Sequence, residues 1–131
     1  MKQTPILLVI VSLFSLTGLG CGRDTSFVTH DEVLVYPLPL DVTYLRTLEA
    51  IDAHPDWDLN WTDKEKGLIS IYNARFSSYA DADERYATLV VKRVSNQESS
   101  VQLDPKSVAV VDGDEILALI KKYLTQEIGN R

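Results

Sequence analysis

Residues 57–76 read WDLNWTDKEKGLISIYNARF, and this stretch decides the fold. Trp57, Leu59 and Trp61 alternate with Asp58 and Asn60, the period of two expected of a half-buried strand. Thr62 to Gly67 is charged and ends on a glycine, whose missing Cβ permits the dihedrals of a tight reversal. Leu68 to Phe76 then reads as the return strand, and so short a connection requires antiparallel pairing.

The flanking segments extend this hairpin. SSYADADER, up to Arg85, is too polar and irregular for a core element and reads as a loop. Tyr86–Val94, YATLVVKRV, is a strand with Tyr86, Val90 and Val94 on one parity and Leu89 and Val91 on the other. SNQESS turns the chain, and Val101–Asp104 opens a further strand, broken by Pro105 and resumed over Ser107–Val111.

Upstream, DEVLVYPLPL (31–40) begins as a strand, but Pro37 and Pro39 cannot donate to a ladder, so it is short and lies at an edge. Asp41 is placed to cap a helix running to about Ala53, with Tyr44, Leu45, Leu48 and Ile51 on its apolar face. His54-Pro55 stops it, because the residue before proline is pushed out of helical geometry.

At the other end, Asp112 with Glu115 three places on predicts a capping-box-like helix start. Ile116, Leu117, Ile120, Tyr123 and Leu124 form the stripe of that helix, and Lys121 and Lys122 suit the negative end of its dipole. The expected fold is α+β, an antiparallel sheet of three to five strands with two helices on one face, in the order β-α-β-β-β-(β)-α. Each helix has a single apolar stripe to bury, which makes this the economical arrangement.

The first twenty residues stand apart. Lys2 precedes an apolar run from Ile6 to Leu16, followed by Thr17-Gly18-Leu19-Gly20 and the single cysteine, Cys21. The run falls short of the roughly 20 apolar residues of a membrane span, and it has the layout of a secretory signal. Gly18-Leu19-Gly20-Cys21 resembles the lipobox of bacterial lipoproteins, although that family carries Leu, Val or Ile where this chain has Gly18. The resemblance implies cleavage between Gly20 and Cys21, a diacylglycerol on the Cys21 sulfur and acylation of the new amine. Two or three chains anchor durably where one holds only marginally, at about 0.8 kcal/mol per buried methylene. Gly22 resembles the residue found there in lipoproteins passed to the outer membrane.

The expected organisation is a signal over 1–20, a lipidated Cys21 and tether over 21–30, and one domain over 31–128. Nine extended tether residues reach about 30 Å, which keeps the domain near the extracytoplasmic surface of a cell or outer membrane. The strand and helix order is similar to helix-grip and related α+β folds of small envelope lipoprotein domains, including those that accompany outer-membrane barrel assembly. Gly67-Leu68-Ile69 follows its charged turn as a GLI strand does in that pattern.

Composition narrows the chemistry. A net charge of −6 opposes binding to nucleic acid, whose phosphates require clustered Lys and Arg, and opposes adhesion to anionic lipid. His30 and His54 are the only histidines and lie in the tether and at a helix end, with no spacing that would hold zinc. The acidic groups Asp81-Asp83-Glu84 and Asp112-Asp114-Glu115 lack the twelve-residue calcium-loop spacing and read as a solvated loop and a helix cap. No serine sits in G-x-S-x-G or S-x-x-K, and no glycine-rich phosphate loop occurs.

These observations lead to no catalytic residues, no metal and no cofactor. Trp57 and Trp61 remain: on one strand parity they either line a groove for a peptide or acyl chain, or pack beneath the helices, as a small domain's need for large aromatics favours. The expectation is a non-catalytic, lipid-anchored envelope protein that binds or assembles an envelope protein partner. The alternative is a small-ligand binder using a cavity between sheet and helices; an enzyme built on carboxylates comes third.

Overall fold

The computed structural model describes residues 30–76, 85–108, 110 and 112–130. The signal, Gly20, Cys21, tether positions 21–29 and the acidic residues Asp81, Asp83 and Glu84 lie outside the described residues. Strand β1 (Leu34–Tyr36) leads to helix α1 (Leu40–Asp52). There follow β2 (Trp57–Asp63), β3 (Leu68–Asn73), a 3-10 turn (Ala74–Phe76), β4 (Tyr86–Arg93), β5 (Ser99–Leu103) and helix α2 (Gly113–Gly129). The expected α+β order is found, with five antiparallel strands arranged β1-β5-β4-β3-β2.

Strand pairing explains where the core sits. Ile69 pairs with Leu89 and Ile71 with Ala87, Leu89 with Leu103, Val91 with Val101, and Val101 with Leu34. This parity meets Ile51 of α1 and Ile116, Ile120 and Leu124 of α2 in one buried cluster. Gly67 closes the β2–β3 hairpin at φ +67°, and a Cβ there would lie 2.1 Å from the Val91 carbonyl oxygen, so both conformation and space require glycine.

Several expectations give way to tertiary contacts. Helix α1 starts at Leu40 with Pro39 as its N-cap and no side-chain cap, so Asp41 sits inside the first turn. Leu45 faces solvent, and Thr43, Tyr44, Thr47, Ala50 and Ile51 are the buried face. The threonines can face inward because their hydroxyls are satisfied: Thr43 Oγ1 lies 2.5 Å from Ser99 Oγ, and Thr47 donates to the Thr43 carbonyl at 2.8 Å. Ser99 donates to the Leu38 carbonyl at 2.8 Å, and this polar chain starts β5 two residues before the apolar pattern does.

Strand β2 continues through Thr62 to Asp63, and β3 stops at Asn73, where the 3-10 turn replaces the last residues of the expected return strand. Among the described residues no strand follows Pro105; Ser107 bonds back to Asp104 in a turn. Helix α2 extends to Gly129, leaving Lys121 and Lys122 in its middle and no basic residue in its last turn. Its N-cap, Asp112, adopts the left-handed conformation at φ 59° and makes no side-chain cap. The Asp112 carboxylate instead accepts from Asn73 Nδ2 at 3.3 Å. His30 is joined to the domain: its backbone N–H donates to Val108 at 2.7 Å, and its ring fills the space where a Cβ on Gly113 would stand.

Candidate docking edge and cleft

The two tryptophans do not share a face. Trp57 pairs with Asn73, Asp58 with Tyr72 and Leu59 with Ile71, and then Trp61 pairs with Ser70. Asn60 has no residue opposite it. This bulge switches the parity of everything after it, because side chains alternate with period two. Trp57 and Leu59 therefore point to the face covered by α1 and α2, and Trp61 to the opposite face. Asn60 Nδ2 donates to Ser70 Oγ at 3.3 Å, which holds the bulge against β3.

Burial follows. Trp57 is 1% exposed and its Nε1–H has no acceptor, so it is a core residue. Leu59 and Trp61 are 50% and 46% exposed, on opposite sides of an edge strand. On that opposite face, the Tyr72 and Tyr86 rings lie 5.9 Å apart, tilted by 41°, and the Arg85 guanidinium sits 5.8 Å from the Tyr86 ring centre. A hydrogen bond toward Asp58, aided by that carboxylate's charge, raises the Tyr72 phenol above its ordinary value.

On the helix side, an open cleft of about 340 Å³ lies between α1 and β2. Leu48, Ile51, Trp57 and Leu59 supply its apolar lining, and Glu49, Asp52 and His54 are polar members. His54 also belongs to a polar chain at this end of the molecule. Its Nδ1 accepts from the Asp56 backbone N–H at 3.1 Å, and its Nε2 lies 3.6 Å from a Glu115 oxygen.

Arg75 pairs with Asp56 and lies 3.8 Å from Asp112; its hydrogen bond to Asp56 is the main cause that raises its already high pKa. Both imidazole nitrogens thus face groups of the scaffold, and the chain links the end of α1, the start of β2 and the start of α2. Among the described residues, no group of three His, Cys, Asp or Glu side chains could hold a metal ion, and no helix is long and apolar enough to cross a membrane.

The sequence pattern marks Trp57 and Trp61 as a pair, whereas in the structure Leu59, between them, joins Trp61 as the second exposed apolar residue of β2. Asn60 was the available signal, since asparagine is disfavoured inside a strand and here interrupts an apolar alternation. No protein-family model and no curated protein matches this chain.

Proposed function

We propose that this chain is a lipid-anchored, non-catalytic protein of the bacterial cell envelope that docks an envelope protein partner along the β2 edge. The observation that carries the reading is the exposure of Leu59 and Trp61 on either side of the Asn60 bulge. Tryptophan is favoured in interface cores, and a large apolar pair on an edge strand is a surface that proteins otherwise keep covered. The lipobox-like Gly18-Leu19-Gly20-Cys21 supports the anchor. The alternative small-ligand reading draws on the same cleft, but the space between sheet and helices is filled by Ile69, Ile71, Leu89, Ile116 and Ile120, and the cleft is a recess at the edge.

A photo-crosslinking residue in place of Trp61, irradiated in native envelopes, should capture one protein partner identifiable by mass spectrometry. The same residue at Val33, beside the opposite sheet edge, serves as the control. Capture of nothing, or equal capture from both positions, would refute the docking edge. Separately, Cys21→Ser should release the protein from membranes and remove the acyl mass; an unmodified sulfur in the mature wild-type protein would refute the anchor.

A further inference from the structure

The cleft behind Leu59 has its own chemistry. Its walls are Leu48, Ile51, Trp57 and Leu59, suited to a methylene stem. Its polar end is the C-terminus of α1, the negative end of the helix dipole. Helix α1 has no basic residue in its last turn, and among the described residues no lysine or arginine lines the cleft. Glu49 is paired with Arg46 at 2.5 Å, whereas no ion pair engages Asp52 among the described residues. A carboxylate next to a helix C-terminus is a like-charge arrangement that a cation relieves.

We infer that the cleft receives a basic side chain, lysine or arginine, of the docked partner. Such a side chain lays its aliphatic stem along apolar surface and keeps its charge at the polar end, matching the order of groups found here. Arginine is also enriched at interface centres. The net charge of −6 steers a basic partner toward the molecule from a distance. The inference rests on β2 being the docking edge and names the chemistry of what docks there.

The chain has two tryptophans, so each indole N–H is a resolvable reporter in a ¹⁵N-correlated spectrum of the full chain in detergent. The probe is a blocked peptide, Ala-Leu-Arg-Leu-Ala, with Ala-Leu-Glu-Leu-Ala as its control. The Trp57 signal should move with the arginine peptide and not with the glutamate peptide. Asp52→Asn, an exposed change, should weaken that response about fivefold, as loss of a partly exposed charge pair predicts. Leu59→Ser should weaken it as well. A Trp57 signal that stays still, or that moves equally with both peptides, overturns the inference. If crosslinking from position 61 still captures an envelope protein in that case, the docking edge stands and only the cleft's role is lost.

Discussion

The two edges of the sheet solve the same problem differently. Strand β1 is three residues long, alternates buried Leu34, exposed Val35 and buried Tyr36, and is ended by Pro37. It offers an incoming chain almost no ladder to extend. Strand β2 is seven residues long, has Trp57 buried at its start, and leaves Leu59 before its bulge and Trp61 after it uncovered. A short strand closed by proline and a bulge that twists the ladder are both ways to prevent unwanted strand pairing. The lesson lies in what each leaves outside: one valine, Val35, on β1, and leucine with tryptophan on β2.

The sharpest test of this contrast uses the two tryptophans. Trp57→Ala removes the largest fully buried side chain and should cost about 3–5 kcal/mol, measured as a shift in the urea midpoint. A small effect would mean that the first half of β2 is as loosely held as the second, and the division of the strand at Asn60 would fail.

The β1 side has its own weak point in Ser99, which pairs with Tyr36 and links Thr43 to the Leu38 carbonyl. Ser99→Ala strands two buried polar groups and should cost about 1–3 kcal/mol in the same assay. A neutral result would show that hydrogen bonding does not lock this edge, leaving strand length and proline as its only protection.

What could be read beforehand follows the same line. Strands β3 and β4 and helix α2 are legible because each buries a continuous apolar set, and hydrophobic spacing is a direct record of that. The inward Thr43 of α1 is not, since its hydroxyl is satisfied by Ser99, more than fifty positions away. The left-handed Asp112 is hidden for a similar reason: Asn73 and Arg75, from the far side of the sheet's connection, hold its carboxylate. At the candidate docking edge, both tryptophans are legible by residue type, but their opposite faces follow from one unpaired residue, and strict alternation cannot express an insertion.

A smaller effect, of opposite sign, is expected at Tyr36. Its hydroxyl is buried without a partner, and burial, with the nearby Glu32 charge, pushes its pKa up to about 12. Tyr36→Phe keeps the ring and removes the unsatisfied group, so it should be neutral or stabilising by up to about 1 kcal/mol at pH 7. The unfolded phenol ionises near pH 10 and the folded one near pH 12, so between these values the unfolded chain has released a proton that the native one retains. Stability therefore falls through that window. The phenylalanine variant should show a flatter alkaline limb in urea midpoints taken from pH 9 upward; an unchanged limb would mean the hydroxyl meets water in the native state.

The smallest effect on stability is expected where the effect on binding is largest. Trp61 projects from the face opposite α1 and α2, after the bulge, with nearly half its surface in solvent, so its loss empties no cavity. Trp61→Ala should move the urea midpoint by no more than about 0.5 kcal/mol in equivalent stability. A residue that large, left outside at so little structural benefit, calls for a role in contact with something else. Should Trp61→Ala instead destabilise as strongly as Trp57→Ala, the indole must be holding the bulge and β3 in place. Its exposure would then be a by-product of folding, and the difference between the two edges would no longer single out β2 for docking.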